Sequence, residues 1–290
     1  MRHVDLAQWA REEQDSTRRA FNQAVHTVLL AIGSTPEISS SMVMKGGILL
    51  AIRYNNSRHT RDIDFSTSAK FQEFDQDRFI AQLDAALATA SESLDYGLAC
   101  VIQSAEVKPP RRPDATFPTL TVRVGYAYKD DEASRSKLHA KQLPNVVRID
   151  YSFNEVTQET EIIQLADQVA ISVYSFDDLV AEKYRAMIQQ ETRNRVRRQD
   201  VYDLYQLLTG GHAPDGDEKL RILVALKACS ASRGIAVERG TLRRPAIKER
   251  SLREYHLLQD EISGELPEFE EAFSAVADFY ECLPWSGKKG

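Results

Sequence analysis

Two carboxylates separated by a single residue, Asp62 and Asp64, constrain this chain more than any other feature. Side chains alternate between the two faces of a β-strand, so a strand here places both carboxylates on one face. The apolar Ile63 and Phe65 then occupy the other face. Two carboxylates on one face are typical of a Mg²⁺ site, because this hard cation prefers one or two carboxylates together with waters and substrate phosphates.

A lysine and two glycines, Lys45, Gly46 and Gly47, precede the acidic pair by the length of one short helix. Glycines let backbone N–H groups approach a phosphate closely, and the N-terminus of the following helix adds a positive dipole end. By themselves, a D-x-D pair is common on solvated strands and a glycine pair can be a simple tight turn. Together they predict nucleotidyl transfer, with Asp62 and Asp64 as metal ligands.

A third carboxylate, Asp150, falls on the polar face of a strand predicted over residues 146–153. Two-metal transferases use a further acid to bind a second metal or to deprotonate the attacking hydroxyl. Asp150 is therefore a candidate catalytic residue and third metal ligand. A solvated position paired with Arg148 or Arg123 is equally open.

Downstream, Lys183 shares one predicted helix face with apolar residues such as Leu179 and Met187. A lysine there either extends its ammonium to solvent or reaches a buried anion, for which a triphosphate is the natural candidate. The next predicted helix carries Asp200 and Asp203 one turn apart. That spacing also fits a surface ion-pair ladder, or an Asp203 that holds Arg197 or Lys183 in place.

These segments resemble a known family. Residues 45–50 (KGGILL) and 58–65 (RHTRDIDF) are similar to the opening motif of AbiEii/AbiGii-type toxins, approximately K-G-G-x-x-L, a helix, then R-x-S/T-x-D-I/L-D-F. Residues 179–187 (LVAEKYRAM) and 197–204 (RRQDVYDL) resemble the family's A-E-K-x-x-A and R-D-x-Y-D-L elements. Gln199 departs from the pattern, since the family usually carries Lys or Arg there.

The resemblance implies an α/β (α+β) fold: a polymerase-β-like nucleotidyltransferase domain with a mixed sheet, followed by a helical C-terminal region. We expect the nucleotidyltransferase-like domain over residues 1–170 and the α-helical domain over 171–290. The implied reaction transfers a nucleotide from an NTP to a hydroxyl with Mg²⁺ or Mn²⁺. The chain would be the toxin of a toxin–antitoxin and abortive-infection (phage-defence) system, with its antitoxin on a separate chain. Some relatives modify tRNA acceptor ends, so tRNA is the expected acceptor.

Combining motifs and resemblance gives a candidate site. The expected catalytic residues are Asp62, Asp64, Asp150, Lys183 and Asp200. The residues expected to bind the nucleotide are Lys45, Gly46, Gly47, Arg58, Thr60, Lys183 and Asp203. Arg58 either clamps a phosphate or pairs with Asp62; the sequence leaves both open.

Length and charge set outer limits. A chain of 290 residues is long enough for one or two domains. Its net charge of −6 means that any RNA contact must come from local basic patches. Two such patches occur, with six basic residues against Glu191 over residues 183–198, and a second set at Arg239, Arg243, Arg244, Lys248, Arg250 and Arg253.

The remaining composition predicts a cytoplasmic protein. The three cysteines form no C-x-x-C pair, which suits a reducing compartment and argues against a disulfide framework or a zinc site. The polar N-terminus predicts no signal peptide, and no apolar run is long enough to cross a membrane.

Two other functions fit the same residues. One is transfer to a small molecule such as an aminoglycoside, which an acceptor pocket lined by carboxylates would favour. The other is a non-catalytic nucleotide-binding regulator that kept the phosphate cradle and lost turnover.

The hydrophobic pattern predicts one long helix over the first thirty residues, ending at 33–36, and an all-helical region after about residue 170. Residues 129–142 are expected to form a connecting loop, 108–113 a basic proline-rich loop and 286–290 a tail. The other predicted elements are helices at 48–54 and 79–93 and strands at 62–66, 98–107, 120–126 and 146–153.

Overall fold

The computed structural model describes residues 2–110, 115–166, 169–193 and 195–285. The predicted tail and residues 111–113 of the predicted proline-rich loop lie outside them. The chain divides into two compact units, and each is described by itself. Unit 1 comprises Met1–Ile52, Arg61–Glu155 and Thr160–Val173; unit 2 comprises Arg53–Thr60, Val156–Glu159 and Tyr174–Gly290.

Within the described residues, eight strands form one mixed sheet, in the order β1-β7-β8-β2-β3-β6-β5-β4. They are β1 (Arg2–His3), β2 (Val43–Lys45), β3 (Asp62–Ser66), β4 (Leu98–Lys108), β5 (Thr119–Tyr128), β6 (Val146–Ser152), β7 (Thr160–Ala166) and β8 (Val169–Tyr174). Strand β3 runs antiparallel to β2 and parallel to β6, and β5 runs antiparallel to both β6 and β4. The predicted mixed sheet is confirmed, and β3 lies inside it between β2 and β6.

The described residues also form twelve α-helices. They are α1 (Leu6–Glu12), α2 (Ser16–Gly33), α3 (Pro36–Ser39), α4 (Gly46–Tyr54), α5 (Gln76–Ser93), α6 (Glu132–His139), α7 (Phe176–Ile188), α8 (Gln190–Arg193), α9 (Arg198–Thr209), α10 (Gly216–Ala231), α11 (Pro245–Leu252) and α12 (Phe269–Glu281). Helices α7 to α12 confirm the predicted helical C-terminal region. None of the helices described here combines the length and apolar character that crossing a bilayer requires.

The apolar face of the central strands packs into an aromatic core. Ile63 and Phe65 of β3 are fully buried, and Tyr151 of β6 is 1% exposed. The Tyr151 and Phe153 ring centroids lie 4.5 Å apart, and the rings of Phe74 and Phe153 lie 4.7 Å apart. Because side chains alternate, burying this face turns the polar residues of β3 and β6 to the opposite face.

Two sequence predictions about helices are wrong. The N-terminal helix is two helices, α1 and α2, because Asp15 leaves helical geometry and its carboxylate accepts a hydrogen bond from the Arg18 N–H, which starts a new helix. The predicted loop at 129–142 contains α6, whose N-cap is Asp131. Helix α6 is largely polar and carries no apolar stripe, so periodicity could not reveal it.

Short strands were also missed. β2 has only three residues, and the sequence suggests no more there than an approach to the glycine turn. Its position nevertheless matters, because it joins β3 on one side and β8 on the other.

Candidate active site

A row of polar side chains crosses the middle of the unit 1 sheet. Lys45 on β2 is the partner of Asp64 on β3, Asp64 is the partner of Asp150 on β6, and Asp150 is the partner of Thr121 on β5. Neighbouring strands lie about 4.8 Å apart, so residues in register on one face are close neighbours. The hydroxyl of Thr121 donates to Oδ1 of Asp150 at 2.8 Å. The sheet therefore brings Asp64 and Asp150 together.

A second row, one pleat along the same face, contains Asp62, Arg148 and Arg123 in register on β3, β6 and β5. The Arg148 guanidinium donates through Nη2 to Oδ2 of Asp62. Its Nε lies 3.2 Å from Oδ2 of Asp150. Burial alone would lower the pKa of Arg148, but the charges of Asp150 and Asp62 outweigh burial and raise that pKa. Arg148 thus ties two predicted metal ligands to one positive charge.

The glycine turn abuts this face. Gly46 has φ of +77°, in the left-handed region, and a Cβ built there would lie 2.0 Å from Oδ2 of Asp64. Only glycine satisfies both conditions. Gly47 follows, buried in the first turn of α4. The ammonium of Lys45 lies 3.6 Å from a carboxylate oxygen of Glu155, and both residues are buried.

The donors on this face suit a hard divalent cation. Asp62, Asp64 and Asp150 offer only acceptor oxygens when ionised, the type of ligand that Mg²⁺ takes. Asp62 and Asp150 already hold one cationic group, that of Arg148. Across the described part of the chain, no three His, Cys, Asp or Glu side chains are grouped as a ready metal cage. The donor set fits a cation that keeps waters and shares phosphate ligands.

Unit 2 contains a buried charge network around Lys183. The ammonium of Lys183 donates to Oδ1 of Asp200 at 3.0 Å and to Oδ2 of Asp203 at 2.7 Å. Arg58 forks onto Asp203, with Nε 2.9 Å from Oδ1 and Nη2 2.8 Å from Oδ2. Lys183 is 8% exposed, so it reaches buried anions and does not extend to solvent. The burial of Asp200 and Asp203 excludes a surface ion-pair ladder.

This network contains two basic side chains, Arg58 and Lys183, and two carboxylates, Asp200 and Asp203. Burial alone would raise the pKa of Asp203, but the charges of Arg58 and Lys183 dominate and lower it far below its usual range. Burial alone would lower the pKa of Lys183, and Asp203 and Asp200 together raise it instead. Arg58, Lys183 and Asp203 are therefore charged in the folded protein. Asn56 also donates to Asp203, at 3.1 Å.

One oxygen of the network has no hydrogen-bond donor. Oδ2 of Asp200 is buried and accepts no hydrogen bond, although Nε of Arg197 lies 3.9 Å away. A buried carboxylate oxygen without a donor is unfavourable unless a ligand supplies one.

The predicted site residues therefore form two sets. The sheet unit brings together Lys45, Gly46, Gly47, Asp62, Asp64 and Asp150; the helical unit brings together Arg58, Lys183, Asp200 and Asp203. Thr60 is half-buried in the segment just before β3. The sequence left Arg58 open between a phosphate and Asp62, and in the structure it binds Asp203.

Sequence reasoning also overlooked partners of these residues. Thr121, Glu155 and Asn56 could not be predicted as partners, because each makes its contact across a long stretch of chain. For Thr121 a weak signal existed, since it lies on the polar face of an alternating strand.

Two of the solved structures that resemble this chain come from Helicobacter pylori. The crystal structure of JHP933 from Helicobacter pylori matches with a TM-score of 0.53 at 15% identity, covering 93% of each chain. The crystal structure of a candidate nucleotidyltransferase from H. pylori matches with a TM-score of 0.49 at 15% identity, covering 91% of this chain and 94% of that one. No curated protein sequence matches the chain. The likeness to JHP933 establishes the shared fold.

The family follows from the sequence match. The family of nucleotidyl transferase AbiEii toxins, from type IV toxin–antitoxin systems, matches residues 28–278. The chain belongs to that family, and the predicted resemblance and enzyme class, a nucleotidyltransferase, are confirmed. Membership in a type IV toxin–antitoxin family implies an antitoxin partner.

The buried network in unit 2 predicts a strong effect of neutralising Asp203. Asp203→Asn leaves Arg58 and Lys183 buried with too little countercharge and should lower the free energy of unfolding by about 3–5 kcal/mol. Asp200→Asn is the matched control and should cost much less, since Lys183 keeps Asp203. Urea denaturation of both variants measures this; an Asp203→Asn variant as stable as Asp200→Asn would contradict it.

The close approach of Gly46 to Asp64 predicts a second effect. Gly97 also has positive φ, +64°, but a Cβ there meets nothing within 4 Å. Gly97→Ala should therefore carry only the conformational penalty, about 1 kcal/mol. Gly46→Ala carries that penalty and also displaces the Asp64 carboxylate, so nucleotide transfer should be lost. Equal activity in the two alanine variants would show that the contact is unimportant.

Proposed function

We propose that this enzyme transfers a nucleotide from an NTP to an acceptor hydroxyl, using Mg²⁺ or Mn²⁺ and releasing pyrophosphate. A bond forms between the acceptor oxygen and the α-phosphorus, and the bond from that phosphorus to the bridging oxygen breaks. The hydroxyl proton passes to a base. One observation carries the proposal: Asp64 and Asp150 are cross-strand partners, and Gly46 lies against Asp64 on the same face.

In this proposal Asp62 and Asp64 hold the cation. When bound, a divalent cation neutralises charge that develops on the phosphates. Asp150 either adds a ligand or accepts the hydroxyl proton. The hydrogen bond from Thr121 supports either role, because it fixes the orientation of the Asp150 carboxylate.

The glycine turn is proposed to hold the phosphates. Gly46 and Gly47 open α4, and the N–H groups of a first helical turn lack partners inside the helix. Such a turn is a ready anion site. Lys45 precedes it in the chain and adds positive charge.

Lys183 and Asp200 are proposed to take part in catalysis, as the family motif implies. The buried Oδ2 of Asp200 supports this, since it can accept a hydrogen bond that no protein group supplies. Arg58 and Asp203 were expected to bind the nucleotide. Their mutual fork supports a positioning role instead, in which they hold Lys183. Thr60 remains a proposed nucleotide contact.

We propose tRNA as the acceptor. Much of the basic charge counted in the sequence is neutralised, since Arg185 binds Glu182 and Arg198 binds Glu254 and Glu261. Arg193 lies near other positively charged side chains. Its pKa is lowered by burial and then by nearby arginines, namely Arg233, Arg185, Arg195 and Arg197. Crowded guanidinium groups favour a polyanion such as an RNA backbone. The proposed setting is the cytoplasm, with an antitoxin on a separate chain.

Label transfer tests the proposal. Each α-labelled NTP is incubated with the protein, a divalent cation and either tRNA or an aminoglycoside. Label should enter tRNA, and Asp64→Asn should reduce it to background because the metal ligand is lost. Asp130→Asn is the matched control on an exposed position of the same unit and should retain activity.

Each result has a distinct meaning. Label in the aminoglycoside alone would favour the small-molecule transferase. No label in any acceptor, with NTP still bound, would favour a nucleotide-binding regulator. An Asp64→Asn variant that incorporates as much label as the wild type would contradict the assignment of Asp64 as a metal ligand.

A further inference from the structure

Arg148 lies where a metal ion would be expected to act. Its guanidinium contacts the carboxylates of Asp62 and Asp150, which belong to neighbouring strands. A guanidinium carries a permanent charge, because it does not deprotonate in proteins. The predicted metal ligands are therefore already neutralised in part without a metal.

Arg148 forms an ion pair with Asp150 but no hydrogen bond through its Nε. Its Nε is buried and has no hydrogen-bond partner, although Oδ2 of Asp150 is only 3.2 Å away. The approach is close enough for charge attraction but too poorly aligned for a hydrogen bond. The side chain as a whole is 43% exposed. Arg148 can therefore leave the carboxylates for solvent without opening the core.

Arg123 lies on the other side of Arg148 and repels its guanidinium. Arg123 is exposed and stands directly opposite Arg148 on β5. Like charges directly opposite each other on neighbouring strands are destabilising. Repulsion from Arg123 thus favours an Arg148 side chain that leans toward the carboxylates.

We infer that Arg148 is a built-in counter-cation of Asp62 and Asp150 and must leave them when a divalent cation binds. The inference rests on the proposed function, since it takes these two carboxylates as metal ligands. Arg148 then lowers the affinity of the protein for free metal. A metal–NTP complex overcomes this, because its triphosphate offers the displaced guanidinium a new anionic partner.

Mn²⁺ binding to the nucleotide-free protein tests the inference. Titration followed by the electron paramagnetic resonance signal of free Mn²⁺ gives the affinity without any turnover. Arg148→Gln should bind Mn²⁺ tighter than the wild type by on the order of tenfold. Arg123→Gln is the matched control: it removes a cation from the same row that does not contact the carboxylates, and should change affinity by less than about twofold.

A second variant keeps the inference testable if Arg148→Gln does not fold. Arg148→Lys keeps the charge but cannot fork onto two carboxylates, so its affinity should fall between those of the wild type and Arg148→Gln. Wild-type binding with no gain in either Arg148 variant would overturn the inference and leave the metal site intact. If no variant binds Mn²⁺, the assignment of Asp62 and Asp150 as metal ligands is wrong, and the inference is wrong with it.

Discussion

The pairing of β3 with β6 is the constraint on which the sheet site depends. Five residues of each strand are in register, so Asp62 meets Arg148 and Asp64 meets Asp150. A slip of one residue would turn the carboxylates into the core and the apolar residues to the polar face. Burial of Ile63, Phe65 and their partners on β6 opposes that slip. The hydrophobic core thus determines where the acidic groups stand.

The helical unit achieves order by a different means. Its polar centre is a charge-balanced quartet, in which Arg58 and Lys183 share Asp203. Such a network adds little stability over an apolar core of the same volume, yet it is intolerant of losing Asp203, which both cations bind. It is therefore a costly way to stabilise a fold and a good way to fix an ammonium beside Asp200. The quartet is therefore better suited to a role in function than to a role in stability.

Elements and site residues could be predicted where the hydrophobic periodicity and the residue types indicated the same structure. The strand predicted over 62–66 matches β3, since alternation of acidic and apolar residues is unambiguous there. Lys183 stood out because a charge inside an apolar stripe needs an explanation. The partner of Arg58 could not be predicted, because Asp203 is far away in the chain and many carboxylates compete. The helix α6 stayed hidden because it buries no apolar stripe. Long-range pairing and solvated helices leave little local signal.

Placing a cation and an NTP directly on the protein is the sharpest test of the account. A crystal structure with Mn²⁺ and a non-hydrolysable NTP analogue gives an anomalous signal that locates the metal. The account predicts Mn²⁺ within about 2.0–2.4 Å of oxygens from Asp62 and Asp64. It also predicts phosphate oxygens at the N–H groups of Gly46 and Gly47. Mn²⁺ and triphosphate bound elsewhere, with neither carboxylate touching the metal, would contradict it.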